Sequence, residues 1–213
     1  MHSFLNSWAT YLSSQLNTLL PAGYFAEANV QFGVEIDVAT FEEPGATPAT
    51  GWIAPPPQNS LPLEFPGAVV EIGIFSKSGG PLLAGAIELV SPTNKDRQLH
   101  RDALVSKCAA YIQAGVGLVL VDVVTERFAD LHRELLIRLG ADDPVCEPTL
   151  SGSAYRPVER GDTTVLDVWR EPIAVDQPLP TLPLWLRGGL CLPVELEATY
   201  ERTCIEQRVQ PAA

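Results

Sequence analysis

The chain has 213 residues, of which 46% are hydrophobic and 19% charged, values that describe a folded globular domain and argue against a disordered chain. Its formal net charge is −12 with only 14 basic residues, which disfavours tight nonspecific binding to nucleic acid but leaves open a local basic groove. No run of residues reaches the roughly 18 to 20 apolar positions that a membrane span needs, so a membrane partner is not expected.

The N-terminal part of the chain is predicted to be a helix followed by two strands. Apolar residues recur at helical spacing over residues 3–20, and Pro21-Ala22-Gly23 ends the run. This segment lacks the basic region and cleavage site of a secretory signal, so a cytoplasmic location is expected. Residues 24–41 then alternate between apolar and polar side chains as two strands broken near Gly33.

Prolines and glycines punctuate the next part of the chain. Residues 44–67 contain seven of the 19 prolines and are predicted to form a long irregular loop. Residues 68–91 form two β-rich runs around Ser78-Gly79-Gly80, a turn sequence that favours positive φ, and this pattern predicts a hairpin.

The central segment reads strand, helix, strand, helix. A helix is predicted over residues 96–114, and the continuous apolar run that follows it at residues 116–124 is typical of a strand buried on both faces. A second helix is predicted over residues 127–139. This order indicates a right-handed crossover on a mixed sheet that is covered by helices, and therefore an α/β fold.

The C-terminal part completes a single domain over residues 1–213. Residues 153–171 are predicted to form another hairpin. A C-terminal extension from about residue 172 to residue 213 is interrupted by prolines and ends in a helix near residues 193–208.

One acidic residue interrupts an apolar strand immediately before a cationic helix. Glu88 lies between Ile87 and Leu89, and the helix beyond Ser91-Pro92 carries Lys95 and Lys107. The inward face of that helix is apolar towards its C-terminus and cationic towards its N-terminus, the end whose free N–H groups and dipole favour anions. A carboxylate beside such a helix indicates a candidate site for a metal ion and a phosphate.

The segments "AIELVSPTNK" and "SKCAAYIQAGVGLVLVDVV" resemble the bacterial family known as domain of unknown function 4058. The opening "FLNSWATYLSSQLNTLLPAGYFAEANVQF", the segment "IDVATFEEP" and the closing "LPLWLRGGLCLPVELEATYERTCIEQR" resemble the same family. That family is in turn similar to restriction-endonuclease-like proteins with the PD-(D/E)XK nuclease core. The resemblance implies an α/β fold of that type, a central mixed sheet flanked by helices with a C-terminal helical extension.

The resemblance also implies site residues and a cofactor. Asp37 and Glu88 match the two acidic positions that hold Mg²⁺, with Mn²⁺ as a substitute. Val90 stands where the core's lysine is usual, and Lys107 is the first candidate to replace that lysine. The further candidates are Lys95 as a second choice of lysine and Glu27 as an additional acid.

Each of these residues also has a structural interpretation. Glu88 in a salt bridge to Arg97 or Arg101 would serve stability alone, and Asp37 at a sheet edge would simply face solvent. Lys107 could rest its aliphatic part on the core with its ammonium in water. The remaining accessory candidates have their own structural alternatives, namely Glu71 as an edge carboxylate, Arg97 as a solvated or acid-paired side chain, and His100 as a polar helix-surface residue. Asp122, a further strand acid, is interpreted as a cap at the strand end.

Two functions from different classes follow. The first is a Mg²⁺-dependent nuclease or related phosphodiesterase that uses Asp37, Glu88 and Lys107. The second is a catalytically inactive module that keeps the fold to bind a protein partner, and a homodimer is compatible with either. The acidic charge and the loss of a lysine at Val90 favour the second, whereas the retained Glu88 favours the first.

Overall fold

The computed structural model describes residues 2–32, 34–44, 51–63, 82–141 and 150–209. Within these residues the helices are α1 (His2–Leu19), α2 (Pro92–Asp96), α3 (Gln98–Gln113), α4 (Leu131–Arg138) and α5 (Leu196–Gln207). The strands are β1 (Tyr24–Phe32), β2 (Val34–Glu42), β3 (Asn59–Pro62), β4 (Leu82–Leu89), β5 (Gly117–Asp122), β6 (Ser151–Arg160), β7 (Thr163–Pro172), β8 (Thr181–Trp185) and β9 (Cys191–Glu195).

Seven of these strands form one mixed sheet, in the order β1-β2-β4-β5-β6-β7-β3. The β4–β5 pair is parallel and the other neighbours are antiparallel. A parallel pair needs a crossover, and α3 supplies it between β4 and β5. All residues of β5 are buried, which confirms the prediction of a strand covered on both faces.

Helices cover both faces of the sheet, so the predicted α/β fold with a flanked mixed sheet and a C-terminal helix is confirmed. On one face, α3 and α4 pack against the sheet around Leu104 and Leu135. On the other face, α1 and the β8–β9 pair pack around Trp8 and Leu184, with α5 beside α1. Of the aromatic and leucine positions that made residues 3–20 amphipathic, α1 buries Leu5, Trp8, Leu12 and Leu16, whereas Leu19 is exposed.

Several boundaries differ from the predictions. The helix predicted over residues 96–114 is interrupted at Arg97, whose extended backbone separates α2 from α3. Helix α4 begins at Leu131 and not at 127, because Asp130 caps it by accepting a hydrogen bond of 3.1 Å from the Arg133 N–H.

Two predictions of irregular structure were partly wrong. The proline-rich loop contains β3, which pairs with β7 at an edge of the sheet, where Pro62 is tolerated because one side of the strand needs no partner. The proline-interrupted extension contains the β8–β9 hairpin, in which Pro183 and Pro193 face each other.

Of the hairpin predicted over residues 68–91, only the second strand lies within the described residues, as β4. In the described part of the chain, β4 is hydrogen-bonded to β2 over residues 82–87 and to β5 over residues 85–89. The first strand predicted for that hairpin, its turn and Glu71 lie outside the described residues. By contrast, the hairpin predicted over residues 153–171 is confirmed as the β6–β7 pair.

Candidate functional site

The centre of the site is the buried carboxylate of Glu88. Every residue of β4 from Ala84 onwards is buried, and Glu88 itself is only 2% exposed. It is paired in register with Leu120 on β5, and side-chain alternation directs it to the face covered by α3. Its Oε1 atom is buried and has no hydrogen-bond partner within the described residues. A buried carboxylate oxygen is a strong hydrogen-bond acceptor, and this one lacks a donor.

Lys107 supplies the charge that faces Glu88. Its Nζ lies 2.5 Å from Oε2 of Glu88, and its side chain is 20% exposed. The ammonium therefore ends in a largely buried ion pair, and the prediction that it only rests at the surface was wrong. Helix α3 brings it there because Lys107 lies beside the apolar stripe of Leu104 and Cys108.

The arginines proposed as structural partners of Glu88 lie elsewhere. Arg97 is exposed at the break between α2 and α3. Arg101 donates from Nε to Glu134 on α4 at 3.1 Å. The salt bridge from Glu88 to Arg97 or Arg101 is therefore wrong, and Lys107 takes their place.

Asp37 joins the site from the neighbouring strand. Val38 pairs with Ile87, so one further step of the antiparallel register places Asp37 opposite Glu88. Its Oδ2 accepts a hydrogen bond of 2.7 Å from the backbone N–H of Leu89. Strand β2 lies between β1 and β4, so Asp37 is not the solvent-facing acid of an edge strand.

The surroundings shift the pKa values of both members of the ion pair. Burial is the main reason that the pKa of Glu88 is raised to about 8; Lys107 opposes the rise and Asp37 adds to it. Burial also acts to lower the pKa of Lys107, but the carboxylate of Glu88 outweighs it and the pKa of Lys107 is raised. At neutral pH the pair therefore holds the Lys107 ammonium beside a carboxyl group that titrates close to that pH.

Sequence reasoning missed the contribution of Tyr111 to this site. Its buried hydroxyl faces the Glu88 carboxyl and lowers the pKa of Glu88 as a hydrogen-bond donor, although no bond of good geometry joins the Tyr111 hydroxyl to Oε1 of Glu88 within the described residues. Burial raises the pKa of Tyr111 above its usual range and the charge of Glu88 adds to the rise, so the hydroxyl keeps its proton and can donate. The signal was available, because Tyr111 lies four residues after Lys107 on the same helix face.

A second buried ion pair lies next to this site. The second lysine candidate, Lys95, contacts Oδ2 of Asp122 at 2.8 Å, and both side chains are less than a tenth exposed, at 4% and 8%. Asp122 also accepts from the Val124 N–H at 3.2 Å, so its predicted capping role is present together with the ion pair. Since its ammonium faces Asp122, Lys95 is not the lysine that faces Glu88.

A cationic groove opens beside this second pair. A cavity of about 420 Å³ is lined by Lys95, Arg101, Arg127 and Arg133, together with the acids Asp130 and Glu134. The side chain of Phe128, which also lines the cavity, is 90% exposed. In a chain of net charge −12, this groove concentrates positive charge at the end of the parallel strands β4 and β5 where the candidate site lies.

The remaining accessory candidates occupy other places. Glu27 is exposed on β1, which pairs with β2, the strand that carries Asp37. His100 contacts Asp96 at 2.6 Å and the Thr93 carbonyl at 3.1 Å through Nδ1. Its side chain therefore links α3 to α2 across the break at Arg97.

Asp37 and Glu88 are the residues of the site that could hold a magnesium ion. Mg²⁺ is usually held by one or two carboxylates and completed by water and substrate phosphates. Asp37 and Glu88 come from adjacent strands, and the unsatisfied Oε1 of Glu88 is the type of oxygen that a cation accepts as a ligand. Within the described residues no group of three or more His, Cys, Asp or Glu side chains could hold a metal, so water and substrate oxygens would have to complete the coordination of a metal at Asp37 and Glu88.

Comparisons with protein-family models, with curated proteins and with solved structures found no match for this chain. Across the described ranges, no helix has both the length and the apolar character needed to cross a membrane.

Proposed function

We propose that the chain is a Mg²⁺-dependent phosphodiesterase of the nuclease type, in which Asp37 and Glu88 hold the metal and Lys107 assists. The observation that supports it most is the ion pair of 2.5 Å between Lys107 and Glu88, formed beside Asp37. These residues come from α3, β4 and β2, as the similarity to the PD-(D/E)XK core implies.

Each residue has a distinct task in this proposal. Bound Mg²⁺ would lower the pKa of a coordinated water and offset charge on the phosphate, and Mn²⁺ would substitute for it. The Leu89 N–H fixes one oxygen of Asp37 and so orients its carboxylate. Lys107 keeps its positive charge next to Glu88 and would stabilise the negative charge that develops on the phosphate. Tyr111 would donate a hydrogen bond within the same buried space.

The cationic groove supports a phosphate-bearing substrate. Arginine side chains match the geometry of phosphate oxygens, and Arg127 and Arg133 line this cavity beside Lys95 and Arg101, which are paired with Asp122 and Glu134. The exposed ring of Phe128 offers a surface on which a base can stack. A nucleic acid is therefore the substrate class that we propose. We also propose a cytoplasmic location for the protein.

Hydrolysis assays test this function. Purified protein would be incubated with bis(p-nitrophenyl) phosphate and with single-stranded and duplex DNA and RNA, in the presence of Mg²⁺, Mn²⁺ or EDTA. We expect metal-dependent cleavage that Glu88→Gln, Asp37→Asn and Lys107→Gln each reduce by about 100-fold or more. Asp102→Asn, a change of an exposed acid on α3, is the matched control and should leave the rate unchanged. Cleavage that persists equally in the three site variants would contradict the proposal.

A second function, a non-catalytic module for a protein partner or a second copy of the chain, is favoured by one observation. The carboxylate of Glu88 is 2% exposed and Lys107 already neutralises it, an arrangement that also suits a purely structural ion pair. Such a module would bind no Mg²⁺, so metal titration distinguishes the two functions.

A further inference from the structure

A second pocket lies at the opposite end of the β4–β5 pair from Glu88. Gly117 begins β5 and pairs with Gly85, whereas Glu88 pairs with Leu120 further along the strands. The pocket has a volume of about 270 Å³. Its lining includes Gly117, Arg156, Trp185, Arg187, Gly188 and Gly189.

The pocket holds two cations and no acid. The guanidinium carbon of Arg156 lies 3.7 Å from the centre of the Trp185 ring. Asp167 faces Arg156 in the β6–β7 register, but it is bound by Arg160 at 2.7 Å and by Ser60 at 2.5 Å. Arg187 donates to the Ala114 carbonyl at the end of α3. Within the described residues, neither arginine of the pocket forms an ion pair, so both charges are uncompensated locally.

Further donors surround these two arginines. The indole N–H of Trp185 is buried and has no acceptor among the described residues. The turn at Gly188 and Gly189 has positive φ angles of 85° and 97°, and space is open where a Cβ would stand at either position. The Gly189 N–H already donates to the Leu186 carbonyl at 3.0 Å, so Gly188 is the turn residue whose N–H can be presented to an anion.

We propose that this pocket binds a small molecule through a phosphate or carboxylate group held by Arg156 and Arg187. Guanidinium groups pair with either oxyanion through two parallel hydrogen bonds, which gives both strength and orientation. In a protein of net charge −12, a pocket lined by two arginines and no acid is a local reversal of the surface potential. The apolar surfaces of Pro157, Val158 and Leu186 would contact the remainder of the ligand. This pocket is separate from the site of the proposed phosphodiesterase, and the inference does not rest on that function.

The test uses inorganic phosphate and citrate as probes on the full chain, at matched ionic strength with chloride as the reference salt. Binding would be followed by calorimetry and by the indole N–H resonance of Trp185, assigned with Trp185→Phe. We expect saturable binding of at least one probe with a shift of that resonance, and the preferred probe identifies the ligand as a phosphate or a carboxylate.

Variants assign the binding to the two arginines. Arg156→Gln and Arg187→Gln should each weaken it by about tenfold or more. Arg202→Gln is the matched control, because Arg202 also stacks on an aromatic ring, that of Tyr11, but lies on α5 away from the pocket. Thermal unfolding verifies that each variant is folded. Because two arginine variants are made, the test can still be read if one of them does not fold. The absence of saturable binding for both probes, or binding that both variants retain, would overturn the proposal.

Discussion

Nζ of Lys107 lies 2.5 Å from Oε2 of Glu88, so that a helix and the buried sheet beneath it are joined by an ion pair almost out of contact with water. Such a pair costs desolvation free energy for both groups and contributes little net stability compared with apolar side chains of the same size. A gain in stability is therefore a weak explanation for its presence in the core, and the proposed metal site would supply another. The unsatisfied Oε1 of the same carboxylate points to the same conclusion.

Breaking this ion pair from one side should be costly. Above pH 8, where Glu88 is ionised, Lys107→Met leaves the carboxylate buried without its cation, and we expect the free energy of unfolding to fall by about 3 kcal/mol, at the lower end of the range for buried pairs because Lys107 is partly exposed. Urea denaturation measures the change. The double variant Lys107→Met with Glu88→Gln should recover part of the loss. Arg202→Met, which breaks the exposed pair with Glu206, is the control and should cost less than about 1 kcal/mol. Equal losses in Lys107→Met and the control would contradict the account.

Stability should decrease as the pH rises towards the alkaline side of neutral. Burial raises the pKa of Glu88 from 4.5 to about 8, so between these values the folded state binds more protons than the unfolded state. The free energy of unfolding therefore falls with rising pH in this window. The measurement is urea denaturation across that range in the presence of EDTA. Glu88→Gln, which has no titrating group at this position, should show a smaller decrease, and an unchanged slope would contradict the prediction.

The close approach of β8 to the main sheet can be tested at Gly117. A Cβ at Gly117 would lie 1.9 Å from the backbone carbonyl oxygen of Trp185, which cannot move without displacing β8. At Gly152 the nearest atom is Cδ1 of Leu182 at 2.7 Å, and that side chain can rotate away. We expect Gly152→Ala to cost about 1–3 kcal/mol and Gly117→Ala to cost more. Thermal and urea unfolding compare them, and a cost for Gly117→Ala no greater than for Gly152→Ala would show that β8 is not packed as described.

The fold was predictable wherever the hydrophobic pattern was regular. Burial of one helix face produces the amphipathic pattern of residues 3–20, and burial of both strand faces produces the continuous apolar run of β5. The helix and the strand are both present as predicted. Strands β3 and β8–β9 were missed because they contain prolines, which usually oppose strand formation. In the structure these prolines lie in an edge strand or in a two-stranded sheet, where a missing N–H is tolerated. The partners of β4 depend on long-range pairing that local patterns do not encode.

The site was predictable in part. The inward stripe of α3 placed Lys107 close to the sheet, and the family resemblance singled out Asp37 and Glu88. The individual contacts were not predictable, because several cations lie near Glu88 in sequence and only the geometry of the crossover selects Lys107. The same geometry assigns Lys95 to Asp122 and Arg101 to Glu134. Tyr111 was treated as a core residue, although its position four residues after Lys107 places it on the helix face that carries the site.

The most direct test of the metal site is calorimetric titration of Mg²⁺ and Mn²⁺ at low salt into the wild type, Glu88→Gln and Asp122→Asn. The last variant is the matched control, because it also changes a buried, lysine-paired carboxylate to an amide but lies outside the proposed ligand set. The account predicts binding to the wild type and to Asp122→Asn, and its loss in Glu88→Gln. Absence of binding to all three proteins, or equal binding to all three, would contradict it.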